Sequence, residues 1–236
     1  MKIKDISGVF ILRRLPPGSK SDMFQEYIQR MLLTAPPILL ALTVHECAHA
    51  WTAYRMGDPT AKMLGRVTLN PLKHLDPVGT LALFLSGMFG WAKPVPINPR
   101  NFRNISKGIM YVSLAGPLSN LGLAAFFALL HKVFAVRGDL LASALSPQVY
   151  RPLFIMIDMG VVINVSLAIF NMIPIPPLDG SKVVSYLLPM DKAFAFSKLE
   201  PYGFMILILL IFTGVINTIV SPIVFFMVGL LTGGAY

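Results

Sequence analysis

His45-Glu46-Cys47-Ala48-His49 places two imidazoles four residues apart, with a carboxylate beside the first. On a helix, positions i and i+4 lie on one face, so the two rings can bind one metal ion. Glu46 is then at hand as general base toward a water that the metal activates, the chemistry of metal-assisted hydrolysis. The chain has only four His and three Glu in 236 residues. Three of these seven fall within one apolar stretch, where ionisable side chains are costly and mark functional sites by default. Cys47 is the single cysteine, so no intrachain disulfide forms. Between the two His it points off the metal face and reads as a small core residue.

Two His do not complete a catalytic zinc site, which uses three protein ligands and keeps one position open for water. His74, His131, Asp158, Asp179 and a few exposed acids are the candidates for the third. Asp179 stands out. It follows the helix-breaking run Asn171-Met172-Ile173-Pro174-Ile175-Pro176-Pro177, and Gly180 comes next. A broken helix can present a side chain at membrane depth from irregular backbone that lines a cavity. The bland alternative makes Asp179 the N-cap of a helix starting near Ser181. Asn171, Asn120 and Asn164 are candidate substrate or oxyanion contacts, against the alternative of hydrogen bonds joining membrane helices. Asn164 and Asn171 share a helix face at seven-residue spacing. Function is favoured for Asn171 and helix joining for Asn164, with Asn120 open between the two. Gly116 reads as close helix packing. Asp158 is expected to pair with Arg151, two turns earlier, and His74 and His131 read as structural.

These residues need elements to position them. A first long helix is expected from about Met23 to Met56, kinked or delayed by Pro36-Pro37 and stopped by Gly57-Asp58-Pro59. Ile109–Leu130 and Leu153–Met172 read as clear spans. A polar connection is expected over residues 132–151, and a short helix over Ser181–Leu188. Val78–Ala92 is apolar but too short to span, so a re-entrant or strand-like segment is expected, offering an edge to an unwound substrate. Phe204–Tyr236 carries no charge over 33 residues and is expected to break or kink at Ser221-Pro222. Residues 1–22 form a basic extramembrane arm, with Val9–Leu12 touching the interface and no apolar run typical of a cleavable signal peptide. Residues 23–236 form a single domain, its core about residues 32–190.

Composition agrees with that organisation. The chain is 55% hydrophobic and 13% charged, with mean hydropathy +0.69, against about 25% charge in an ordinary soluble domain. The fold class is an all-α polytopic membrane protein, a helical bundle. The net charge of +9 is assigned to lipid headgroups beside apolar segments and not to nucleic acid. Basic residues divide almost evenly between the two sides, so charge does not orient the chain.

The His45–His49 motif, together with Asn171 through Gly180, resembles the site-2 protease family of intramembrane zinc metalloproteases, in its compact prokaryotic branch without a PDZ domain. Ala115-Gly116-Pro117-Leu118-Ser119-Asn120 looks like that family's small-residue element. Asn70 through Pro77 and Gly90 through Pro96 resemble the same branch. The resemblance implies one Zn2+ per chain held by His45, His49 and Asp179, with Glu46 catalytic. It further implies hydrolysis of a peptide bond within or beside a transmembrane segment of a protein substrate. Multi-pass insertion in the cell membrane is expected, the active site toward the cytosol. The rival reading is a non-proteolytic metal-binding transporter or scaffold. Oligomeric state and substrate identity are left open at this level.

Overall fold

The computed structural model describes residues 20–86 and 90–234; the amino-terminal arm, including Val9–Leu12, lies outside them apart from its last residues. Among the described residues ten helices follow one another: α1 (Lys20–Arg55), α2 (Thr60–Met63), α3 (Pro77–Ser86), α4 (Ile105–Val136), α5 (Gly138–Ala144), α6 (Pro147–Asn171), α7 (Asp179–Leu187), α8 (Met190–Ser197), α9 (Glu200–Phe212) and α10 (Val215–Thr232). Four of them, α1, α4, α6 and α10, are long and apolar enough to cross a membrane; α8 and α9, bent by 66°, form a fifth candidate if counted together. Large apolar side chains such as Phe126, Leu129, Leu209, Phe212, Phe226 and Leu230 point outward. Such a surface suits hydrocarbon and not water.

The bundle is centred on α4, which packs most extensively on α6 and then on α1. Between α4, α6 and α10 lies a core of Ala124, Phe127, Ala128, Ile157, Val161, Val165, Val224 and Val228. Gly160 lets the Phe127 ring lie on the α6 backbone, where a methyl would come within 2.7 Å of the ring. A second cluster, Ala53, Phe102 and Val112, seals the end of α1 against α4.

Several expectations are corrected. Pro36 and Pro37 do not delay the first helix, which begins at Lys20 and includes both. Val78–Ala92 is not strand-like over most of its described length: Pro77–Ser86 is helical, capped by the Asp76 carboxylate on the Gly79 amide at 2.8 Å. Extended pairing is confined, among the described residues, to one antiparallel bridge between Leu75 and Ala92. The polar connection over 132–151 is itself largely helical, since α4 runs to Val136 and α5 and the start of α6 fill the rest. The carboxyl-terminal apolar run breaks at Thr213-Gly214, not at Ser221-Pro222. Gly214 takes φ +76°, open to a residue without a side chain, whereas Pro222 sits inside α10. Asp158 lies 3.1 Å from His131 Nδ1 on α4. The expected Arg151 partner would have spanned two turns of one helix, and packing of α4 on α6 supplies a nearer group.

The extramembrane loops between α1 and α4 are tied by one carboxylate. Gly57, at φ +113°, turns the chain out of α1, and Asp58 follows with no exposure. Its Oδ1 accepts from the Thr60 amide (3.1 Å), the Thr60 hydroxyl (2.5 Å) and the Asn101 side chain (2.8 Å); its Oδ2 accepts from the Asn98 amide (2.7 Å). Burial pushes this carboxyl up, but those hydrogen bonds outweigh it and leave it below the ordinary aspartate value. A carboxyl lowered by folding contributes fully above its unfolded value near about pH 4 and less as pH falls through the folded value. Asp58→Ala is therefore expected to cost about 1–3 kcal/mol at neutral pH and to show a shallower acid-side fall in stability than the wild type. Thermal unfolding in detergent between pH 3 and 7 checks both.

Candidate metal centre

Along α1, Ala41, His45, His49 and Ala53 recur every four residues and are all buried. That stripe faces α4. What allows it to approach so closely is Gly116: a Cβ there would stand 2.5 Å from His45 Cε1, 2.5 Å from His49 Nε2 and 2.6 Å from His45 Nε2. Gly116 is thus more than a helix-packing residue, because the space it leaves borders both ligand atoms.

Asp179 arrives from the opposite side. α6 ends at Asn171, and residues 172–178 form irregular turns, with Ile175 N bonded to Ile173 O (2.8 Å) and Leu178 N to Ile175 O (2.9 Å). Leu178, in extended conformation, occupies the N-cap position of α7; Asp179 is the first residue of the helix. The alternative of Asp179 as the N-cap is not what the geometry has. Gly180 permits the turn, since a Cβ there would lie 2.2 Å from Met172 O.

The three side chains converge. His45 Nε2 and His49 Nε2 are 3.0 Å apart, and Asp179 Oδ2 lies 3.3 Å and 3.1 Å from them. All three residues are buried, at 6%, 7% and 7% exposure. A tetrahedral ion with ligand bonds of about 2.0–2.1 Å needs donor atoms roughly 3.3–3.4 Å apart. The observed triangle fits that within a few tenths of an ångström, and two imidazoles plus a carboxylate suit zinc. Among the described residues this is the group of three or more His, Cys, Asp or Glu able to hold a metal. Lys182 Nζ stands 3.8 Å from Asp179 Oδ1, the oxygen turned away from the His pair.

The outer nitrogens are held as well. His49 Nδ1 lies 2.7 Å from the Val112 carbonyl and His45 Nδ1 lies 2.6 Å from Asn120 Oδ1. Asn120 Nδ2 donates to Ala41 O (3.1 Å) and to Asn164 Oδ1 (2.9 Å), and Asn164 Nδ2 to Gly160 O (2.8 Å). Asn171 donates to Leu167 O in its own helix at 2.9 Å. The sequence reading did not anticipate Val112, whose contribution is a backbone carbonyl and leaves no trace in residue type, nor Lys182. Glu46 is half-buried next to His45. His74 is not part of this group; it is 1% exposed, with Nε2 2.9 Å from Thr68 O. Cys47 is half-buried.

Comparison with known proteins decides the family. The chain is 40% identical over 186 residues to "Putative zinc metalloprotease YwhC" of Bacillus subtilis, covering 78% of this chain and 82% of that protein. The chain belongs to peptidase family M50. The family model, Peptidase family M50, matches residues 147–214, the stretch that contains the Asp179 element. "Putative zinc metalloprotease Rip2" of Mycolicibacterium smegmatis is 29% identical over 200 residues, 81% of this chain and 71% of that protein. A protein of the same name from Mycobacterium tuberculosis strain H37Rv is 26% identical over 187 residues, 76% of this chain and 66% of that one. No solved structure matches. As a member of this family, the site-2 proteases, the M50 protein is a zinc metalloprotease with several membrane-crossing helices.

Proposed function

We propose that this M50 protein hydrolyses a peptide bond within or beside a transmembrane segment of a membrane-protein substrate, with Glu46 as general base and one zinc held by His45, His49 and Asp179. The observation that carries the reading is the convergence of those three ligand atoms, 3.0–3.3 Å apart, inside a bundle of membrane-length helices. Zinc bound there supplies a Lewis acid that makes water more acidic and polarises a carbonyl oxygen. His45 and His49 would hold it through Nε2, their Nδ1 atoms being engaged by Asn120 and Val112. Asp179 would contribute Oδ2 and neutralise part of the charge. Glu46 takes one proton from the attacking water as its oxygen bonds to the peptide carbon, and returns it to the nitrogen as the carbon–nitrogen bond breaks.

A transmembrane substrate is favoured by the surroundings. An apolar cavity of about 470 Å³ lies beside the centre, lined by Leu114, Pro117, Leu118, Met172, Ile173 and Ile223 among others. Pro117 adjoins Gly116, and Met172 and Ile173 belong to the turn that delivers Asp179. A helical substrate has its carbonyls engaged in hydrogen bonds, so it must unwind locally before attack. The cytosolic placement of the centre rests on the family resemblance.

The test is a paired measurement on purified protein in detergent: zinc per chain, and cleavage of a single-span substrate with the cut site located by mass spectrometry. Wild type is expected to hold about one zinc and to cut in or next to the apolar segment. Asp179→Ala is expected to lose most of the zinc and the cleavage together, since two ligands hold the ion much less tightly than three. Zinc retained in Asp179→Ala would remove Asp179 from the ligand set. Zinc without cleavage of any membrane substrate would favour the transporter or scaffold reading.

A further inference from the structure

Asn120 and Asn164 have no exposed surface, and their orientation is set by chemistry at both ends of a short chain of hydrogen bonds. The Ala41 carbonyl can only accept, so the amide nitrogen of Asn120 must face it; the Gly160 carbonyl imposes the same on Asn164. With both orientations decided, Asn120 Nδ2 has its two hydrogens on Ala41 O and Asn164 Oδ1, and Asn120 Oδ1 is left facing His45 Nδ1 at 2.6 Å. An amide oxygen has no proton to give. His45 must therefore donate from Nδ1, and the neutral ring then presents its Nε2 lone pair to the site. The Val112 carbonyl forces the same tautomer on His49. The two bare nitrogens then face one another at 3.0 Å and face the Asp179 carboxylate at 3.1–3.3 Å. Three lone-pair donors held together in this way repel one another until a cation lies among them.

We propose that Asn120, braced by Asn164, is a positioning residue for the metal: it locks His45 in the Nδ1–H tautomer and so sets the affinity of the centre for zinc, and it does not contact substrate. The inference rests on the metal-centre reading above. A neutral amide suits this task inside a membrane bundle. It accepts as a carboxylate would, yet adds no second buried negative charge beside Asp179. Unlike a carboxylate it also donates, so α1, α4 and α6 are tied through one side chain. Replacing the acceptor that orients a ligating imidazole commonly costs about 10–100-fold in metal affinity, and the relay predicts how that loss is graded. Removing Asn120 takes away the acceptor itself. Removing Asn164 takes away one brace and leaves Ala41 O to hold the amide.

The experiment measures the zinc dissociation constant of the full chain in detergent by competition with a chromophoric chelator. It is followed by kcat and KM on a single-span substrate at saturating zinc. Asn120→Leu is expected to bind zinc about 10–100-fold more weakly. Asn164→Leu should show a smaller loss. Asn120→Asp, which restores the acceptor, should recover part of the affinity lost in Asn120→Leu. With zinc saturating, KM should stay at the wild-type value. Wild-type zinc affinity in Asn120→Leu overturns the proposal, and a raised KM beside it makes Asn120 a substrate contact. If Asn120→Leu does not fold, Asn164→Leu decides: weakened zinc binding supports the relay, and wild-type affinity reassigns the pair to helix joining. Absence of zinc from the wild-type protein would instead defeat the metal-centre reading itself.

Discussion

Glu46→Gln is expected to hold zinc as the wild type does and to cleave about 10²–10⁴-fold more slowly. Glu46 lies outside the triangle formed by His45, His49 and Asp179, so its loss removes no ligand. Gln has nearly the same size and keeps the polar end of the side chain, so the packing of α1 is preserved. What it lacks is a group able to take a proton at neutral pH and return it to the leaving nitrogen. Zinc content and cleavage are therefore expected to separate in this variant, whereas they fall together in Asp179→Ala. Measured side by side under the same conditions, the pair distinguishes a general base from a ligand. Wild-type cleavage by Glu46→Gln would place the base elsewhere; loss of its zinc would make Glu46 part of the ligand set.

Gly116→Ala is expected to abolish both stoichiometric zinc binding and cleavage. The added methyl would stand 2.5–2.6 Å from His45 Cε1, His45 Nε2 and His49 Nε2, where van der Waals contact needs about 3.5–4.0 Å. Either α4 withdraws from α1 by about an ångström or the two rings turn away. In both cases the ligand atoms leave a triangle whose tolerance is a few tenths of an ångström. Gly122, on the same helix, is the control, because a Cβ there meets nothing within 4 Å. Gly122→Ala should keep zinc and activity and, if anything, strengthen α4, since Ala favours helix over Gly by about 1 kcal/mol. Equal zinc content in the two variants would show that the close approach at Gly116 is not needed for the metal.

Within the sequence, the most legible features were those that depend on neighbours a few residues away. Four-residue spacing put His45 and His49 on one face of α1 because helix geometry is local. The length of each apolar run marked α4 and α6 as spans, since hydrocarbon thickness sets a minimum. Asp179 stood out among a few candidates because a helix-breaking proline run precedes it and Gly180 follows, and the family resemblance implied it as the third ligand. Local signals also misled. Pro222 reads as a helix breaker, yet a helix inside an apolar bundle carries it, while Gly214, with φ +76°, makes the actual break. The apolar, glycine-containing stretch after Pro77 reads as re-entrant or strand-like, and the strand-like half of that reading fails because an Asp76 cap starts a helix there.

The sequence alone determined the membrane class, the face shared by His45 and His49, and a short set of candidates for the third ligand. Only the tertiary structure decided which candidate joins them, and that Asn120 and the Val112 carbonyl hold the outer nitrogens of the two rings. It also showed that Gly116 provides the gap between α1 and α4. Those contacts link residues 63 and 75 positions apart, and Asp179 reaches the site from farther still. Periodicity states which face of a helix is apolar, but not which helix will lie against it or at what register. That is decided when α1, α4 and α6 pack together and every buried polar group must find its partner.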